Sequence, residues 1–267
     1  MVSIKEYVEI RKQQLKEEVA TFETKPKLCI FQIGDNSASN SYIRSKRRVC
    51  EELGIEFEHV HIKDYEDVSE SDLVAMITKK CMDDTHGVLI QLPIPDKYNI
   101  EKLQDSIYAS KDVDGFKSNS VFIPCTPKGI IDWLEFNDYD FSGKNVVVLG
   151  RSKIVGKPLA NLLIDRQATV TCCNSKTRDV DKFLSNADLI ISAVGKPKFF
   201  MTLVENTIIV DVGINRDENG KLCGDVNKEF IEQHGKNNYI TPVPGGVGLL
   251  TVISLMDNVI SAYKAYQ

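Results

Sequence analysis

"VVVLGRSKIVGKPLA", residues Val146–Ala160, is the stretch whose reading decides the fold. Val146, Val147, Val148 and Leu149 form an uninterrupted, mostly β-branched apolar run of the kind that fills a buried strand. Gly150 closes it. A short loop leads to Gly156, and a helical pattern then opens with Pro158 in its first turn, where a missing N–H costs little. Strand, glycine turn and helix in this order build a corner suited to phosphate. Glycine lets the backbone approach an anion closely, and a helix N-terminus offers unpaired N–H groups and the positive end of the helix dipole. The spacing Gly150-x-Ser152-x-x-x-Gly156 departs from G-x-G-x-x-G, so this stretch alone leaves a plain strand–loop–helix turn open.

The elements downstream favour the nucleotide reading. "ATVTCC" (168–173), "DLIISAV" (188–194) and "TIIVDVG" (207–213) read as strands. "GKPLANLLIDR" (156–166) and "RDVDKFLSN" (178–186) read as helices, "NYITPVPGG" (238–246) carries one more short strand, and an amphipathic helix runs from about Gly248 to the end. This alternation predicts a Rossmann-type domain with a parallel sheet. Upstream the alternation is similar. A helix spanning Ile4 to Val19 precedes the strand "KLCIFQIG" (27–34), a helix closed by Gly54, the strand "EFEHVHI" (56–62), the helix "SESDLVAMITKKCMDD" (69–84) and the strand "HGVLIQLPIP" (86–95). Around 111–130 the texture changes to "KDVDGFKSNSVFIPCTPKGI", with few helix signals, and a short helix "PKGIIDWLEF" follows. The expectation is an α/β chain of two domains. The junction falls in the 111–130 stretch, and the second domain binds a nucleotide.

Composition narrows the class. Hydrophobic residues make up 42% and charged residues 27% of 267, an ordinary globular mixture. A formal net charge of -5 argues against non-specific nucleic-acid binding, which needs basic surface. Arg44, Lys46, Arg47 and Arg48 form the one dense basic run. Seven scattered cysteines without C-x-x-C suggest a reducing compartment. The N-terminus has no apolar signal core, and no uninterrupted apolar run reaches the length of a membrane span, so the expected location is cytoplasmic, without membrane association. His59-x-His61 places two imidazoles on one strand face, but no third ligand accompanies them and no metal is expected.

Two features bear on chemistry. An NAD site usually carries an acidic residue at the end of its second strand for the ribose 2′-hydroxyl. Here that strand runs into Asn174, Ser175, Lys176 and Thr177, with no carboxylate before Asp179, and Arg151 stands in the glycine loop. Cationic and hydroxyl groups without an acid suit a 2′-phosphate, so NADP is expected over NAD. Tyr42 and Lys46, in "NSYIRSKRRVC", lie one helical turn apart. Tyr-x-x-x-Lys also occurs in short-chain dehydrogenases, but there it follows the nucleotide loop, and here it precedes that loop by about a hundred residues.

A different resemblance runs along the chain. "IGDNSASNSYIRSK", "GVLIQLPIP", "KDVDGF", "PCTPKGI", "VLGRSKIVGKPLA", "ISAVGKP", "VDVGIN", "GDV" and "TPVPGGVG" occur in the order of the bifunctional methylenetetrahydrofolate dehydrogenase/cyclohydrolase (FolD-type) family, which the sequence resembles. The resemblance implies a folate-binding catalytic α/β domain (residues 1–119), completed by a returning C-terminal helix at 249–267, an NADP-binding Rossmann domain (residues 120–248), and a homodimer through the Rossmann domain. It implies oxidation of 5,10-methylenetetrahydrofolate by NADP⁺ and hydrolysis of the methenyl product to 10-formyltetrahydrofolate.

By motif, Lys46 is the implied catalytic lysine, Tyr42 packs on the folate, Gln91 bonds Lys46, and Asp114 takes the amide-like edge of the pterin. Leu92 and Pro93 flank the substrate. Gly150, Arg151, Ser152, Ile154, Val155, Gly156, Ser175, Gly245 and Gly246 line the cofactor. The chemistry suits these types. Hydride loss leaves an iminium cation that repels a charged lysine and favours a neutral amine as base, which a neutral glutamine can orient. The chain departs from the family pattern at Asn174, where a histidine is usual, at Leu249 and Leu250, where Pro-Met is usual, and in a shorter segment between "DGF" and "PCTP". Two narrower alternatives are a dehydrogenase lacking cyclohydrolase and a non-catalytic NADP-binding regulator. The first is disfavoured by Lys46 and Gln91. The second has no need of the full Tyr42, Lys46, Gln91 and Asp114 set.

Overall fold

The structure, a computed structural model, describes all residues from Met1 to Gln267. In chain order the first elements are α1 (Ile4–Val19), β1 (Lys27–Ile33), α2 (Ser37–Leu53), β2 (Glu56–Ile62), α3 (Glu70–Met82), β3 (Gly87–Ile90) and α4 (Ile100–Asp105). There follow α5 (Cys125–Phe136), β4 (Asn145–Leu149), α6 (Gly156–Asp165), β5 (Thr169–Cys173), α7 (Asp181–Leu184), β6 (Leu189–Ser192) and β7 (Ile208–Asp211). The hairpin strands β8 (Asn215–Arg216) and β9 (Leu222–Cys223), then α8 (Lys228–His234), β10 (Tyr239–Ile240) and α9 (Val247–Tyr266), complete the chain. It forms two compact units, one of Glu9–Cys125 with Val252–Gln267 and one of Met1–Val8 with Thr126–Thr251.

In the unit of Glu9–Cys125 a parallel sheet has the order β2-β1-β3. Central β1 is buried from its second residue onward, as a strand covered on both faces must be, and edge β2 is half-exposed. Phe31, Cys29, Val88 and Ile90 pack with Leu73, Ile77 and Cys81 of α3 in one core. Each fully buried side chain of this size contributes about 1.5–3 kcal/mol. The segment after α4 joins the sheet edge: Val88 N donates to Lys111 O at 2.8 Å, and Val88 and Asp112 form a parallel bridge. The last residues of α9 belong to this unit. The helix is long and apolar enough for a membrane span by composition, yet Leu255, Met256, Val259 and Ile260 are buried in protein, which marks a core helix. Arg11 of α1 pairs with Asp257 of α9 at 2.6 Å.

The other unit carries a five-stranded parallel sheet of order β10-β7-β6-β4-β5. Val147, Leu149, Ile190 and Ile209 of the strands pack with Phe200, Val204 and Ile231. Trp133 is fully buried here, and its Nε1 donates to Val2 O at 3.1 Å. That bond, with aromatic contact between Tyr7 and Phe136, explains why residues 1–8 pack with this unit, whereas the sequence division assigns them to the first domain.

Other differences are local. "GVLIQLPIP" forms a strand only to Ile90, and "RDVDKFLSN" forms one helical turn. Helices α4 and α8 were not expected, although Asn99 and Asn227 cap them with side chains that accept from Lys102 N and Phe230 N. The β8–β9 hairpin is too short for its apolar pattern to show. Helix α9 starts at Val247 without a proline in its first turn.

Candidate active site and dinucleotide site

Helix α2 presents Lys46 to the interior. Asn36 caps the helix, its side chain accepting from Ala38 N and Ser39 N, and Gly54 ends it at φ +79°. Ser39, Ile43, Lys46, Cys50 and Leu53 fall on one buried stripe at helical spacing. The Lys46 amine therefore lies among apolar neighbours, and the residue is only 6% exposed. Its Nζ donates to Oε1 of Gln91 at 3.0 Å.

Gln91 lies just past the carboxyl end of β3, where its backbone N–H continues the ladder to Phe31 O at 2.8 Å. Its Nε2 donates to Leu92 O at 3.0 Å, and Ser39 Oγ donates to the same carbonyl at 3.0 Å. The amide is thus oriented with its oxygen toward Lys46, and Leu92 ties the loop to α2. The Leu92–Pro93 peptide is cis. Tyr42 is half-buried one turn before Lys46, and burial raises its phenol pKa.

The two carboxylates of "KDVDGF" have different surroundings. Asp112 is buried, with Oδ2 accepting from Lys117 N at 2.9 Å and its carbonyl accepting from Ser120 Oγ at 3.1 Å, so it builds the turn. Asp114 is coupled to Lys46. Burial raises its carboxyl pKa, while the Lys46 charge and the Cys125 thiol oppose that rise. Gly115 makes this placement possible, since it has φ +72° and a Cβ there would meet Pro124 N at 2.7 Å. Asn258 of α9 clamps the turn, Nδ2 donating to Val113 O at 2.8 Å and Ile123 O at 3.2 Å.

Lys46, Gln91 and Asp114 thus converge within one unit. Ser39 and Asn258 support them and were missed by sequence reasoning. Ser39 sits seven residues before Lys46, which is a detectable same-face signal. Asn258 has no local signal. His59 and His61 are stacked, but their Nε2 atoms engage Gln32 Oε1 and Gly34 O, both at 2.9 Å.

In the other unit, Gly150 follows β4 with φ +112°, and a Cβ there would overlap the Ala193 carbonyl. A Cβ on Gly156 would overlap the Gly150 carbonyl. Both glycines are therefore required by close backbone approach. Ser152 Oγ accepts from Val155 N at 3.1 Å and Gly156 N at 3.4 Å, shaping the loop before α6. Arg151, Ser152 and Ser175 are exposed, and Ile154 and Val155 are half-buried. Beyond β5, Asn174 Oδ1 accepts from Lys176 N at 3.0 Å, so its side chain is committed to the turn. Gly245, at φ +93°, and Gly246 lie in the turn before α9, where a Cβ on Gly246 would overlap the Pro242 carbonyl. The donors, glycines and cationic side chain fit an anionic dinucleotide.

These sites define an α/β enzyme with a dinucleotide domain and a separate unit bearing a buried lysine–glutamine pair. Residues 2–114 match the family described as tetrahydrofolate dehydrogenase/cyclohydrolase, catalytic domain, and residues 124–267 match its NAD(P)-binding domain. The chain is 41% identical to the bifunctional protein FolD of Campylobacter concisus over 99% of this chain and 95% of that protein. It superimposes on the bifunctional FolD of Campylobacter jejuni with a TM-score of 0.92 at 38% identity, covering 98% of this chain and 97% of that one. For Trypanosoma brucei FolD, solved with NADP cofactor and inhibitor, the TM-score is 0.89 at 27% identity, covering 100% and 97%. The chain belongs to the tetrahydrofolate dehydrogenase/cyclohydrolase family.

Proposed function

We propose that the chain oxidises 5,10-methylenetetrahydrofolate to the 5,10-methenyl cation with NADP⁺ and hydrolyses that cation to 10-formyltetrahydrofolate. The buried Lys46–Gln91 pair, coupled to Asp114 inside the catalytic-domain match, carries this reading. When bound, NADP⁺ supplies a hydride acceptor. The Gly150–Gly156 turn and the start of α6 would hold its pyrophosphate, Arg151 and Ser175 would hold the 2′-phosphate, and Gly245 and Gly246 would border the site.

Asp114 accepts hydrogen bonds from the donor-rich pterin edge, and Tyr42 packs on the ring. Leu92 and Pro93 flank the substrate. In hydrolysis, water adds to the methenyl carbon and gives up a proton to the Lys46 amine. Lys46 then returns that proton to N5 as the carbon–N5 bond breaks, while the hydroxyl proton of the adduct leaves to solvent as its C–O bond becomes the carbonyl, and the formyl group stays on N10. The net reaction consumes one water and releases one proton. Gln91 orients the amine while adding no charge.

Exposed Phe199, Met201, Leu203, Ile214 and Leu222 of the dinucleotide unit support a homodimer formed through it. The seven free cysteines support a cytoplasmic location. The functional test is hydrolysis of methenyltetrahydrofolate by purified protein against the spontaneous rate. Enzymatic acceleration is expected, and decay at the spontaneous rate contradicts the cyclohydrolase assignment.

A further inference from the structure

In the order β10-β7-β6-β4-β5 the chain moves outward from β4 to β5, then restarts on the other side with β6. The carboxyl ends of β4 and β6 therefore flank the switch point, where parallel sheets bind their ligands. Gly150 follows β4 and Ala193 follows β6, and Ala193 N still donates to Leu149 O at 2.8 Å. The next residues, Val194 to Lys196, form a lip of that crevice and have left the β ladder.

Their three N–H groups converge on one side chain. Asp225 Oδ2 accepts from Val194 N at 2.6 Å and Gly195 N at 3.2 Å, and Oδ1 accepts from Lys196 N at 3.0 Å. Ser192 Oγ at 3.2 Å and Asn215 Nδ2 at 2.9 Å complete five donors on two oxygens. Asp225 is fully buried. Successive backbone N–H groups make an anion-binding concavity, and here the anion is the protein's own carboxylate.

Asp225 is itself held by a second buried carboxylate. Asp211 Oδ1 accepts from Asp225 N at 2.9 Å and Gly213 N at 3.0 Å, and Oδ2 accepts from Val226 N at 3.0 Å. A Cβ on Gly213 would overlap Asp225 Oδ1, and one on Gly224 would overlap Asp211 Oδ2. This accounts physically for the glycines of "VDVGIN" and "GDV".

We propose that Asp225 is a positioning residue for the dinucleotide: it shapes the Val194–Lys196 lip and so sets affinity for NADP⁺ without touching it. The inference rests on the NADP-dependent reading above. Asp225→Asn preserves volume but turns an NH₂ toward N–H groups that need an acceptor. Losing charge-assisted bonds at the lip raises the Kd for NADP⁺, read by equilibrium fluorescence titration without folate, and with it the KM for NADP⁺, by about ten- to a hundredfold. The KM for methylenetetrahydrofolate stays within about twofold.

A merely structural role lowers the amount of active enzyme and leaves both KM values alone. Should Asp225→Asn not fold, Asn215→Ala removes one donor and leaves all three backbone bonds. Its expected rise in KM for NADP⁺ is about three- to fivefold. An unchanged KM for NADP⁺ in the folded variant, or equal rises for both substrates, overturns the proposal. A wild-type chain that does not turn over NADP⁺ contradicts the underlying reading and removes the proposal with it.

Discussion

Replacing Lys46 with methionine isolates the proton-transfer step. Methionine keeps the length and apolar stem that pack beside Ile43 and Cys50 on the buried stripe of α2, and it removes the amine. Gln91 Oε1 loses the donor now 3.0 Å away. An unsatisfied buried acceptor costs about 1–3 kcal/mol. Removing a polar amine from a site 6% exposed offsets part of that cost. A net change near 1 kcal/mol moves Tm by about 2–4 °C in a protein of this size class, so the variant folds. The chemical consequence is larger. A positioned acid–base group contributes about 10²–10⁴-fold, and the cyclohydrolase rate falls by that factor. The assay follows the methenyl absorbance after adding methenyltetrahydrofolate, with spontaneous hydrolysis subtracted and folate affinity measured by titration. A variant hydrolysing within tenfold of wild type refutes the role given to Lys46.

Three further outcomes are expected. Gln91→Glu puts an anion against the Lys46 amine and favours its charged form, so cyclohydrolase falls by about tenfold or more, and an unchanged rate contradicts the neutral-partner argument. Asp114→Asn removes a charge-assisted acceptor and weakens folate binding by about tenfold, while NADP⁺ titration is unaltered; unchanged folate affinity refutes the pterin contact. Burial raises the Asp211 pKa from 3.8 to about 6, so the folded state binds more protons than the unfolded state between those values. Its contribution to stability is present at low pH and is lost as pH rises through about 6. In urea melts, wild type minus Asp211→Asn falls by up to about 3 kcal/mol between pH 4 and 7, and a difference that rises with pH contradicts this.

Much of the architecture was legible because the central strands are buried. Residues 146–149 and 189–191 are continuous apolar runs with no competing period, and the parallel sheet follows from their alternation with helices. The polar α2 was legible through its cap at Asn36 and its stop at Gly54. Helix α8 was not, because "KEFIEQH" is short and mostly polar and is defined by the Asn227 cap. At the site, Tyr42, Lys46, Gln91 and Asp114 were found by resemblance, since helical spacing alone does not say whether Lys46 faces water or the core. The burial of Ser39 and Lys46 on one stripe decides that, and it depends on packing. Asn258 is 145 residues from Val113, so no local pattern announces their bond. Asp225 lay within "GDV", but its role emerges only when the Val194–Lys196 amides fold over it.

The most direct test mixes purified protein with 5,10-methylenetetrahydrofolate and NADP⁺, or NAD⁺ in parallel, and follows reduced cofactor and methenyl absorbance together. The account predicts reduction with NADP⁺ faster than with NAD⁺, and methenyl absorbance that lags well behind reduced cofactor because hydrolysis consumes it. Stoichiometric accumulation of the methenyl compound contradicts the second activity, and no reduction with either nucleotide contradicts the account at its root.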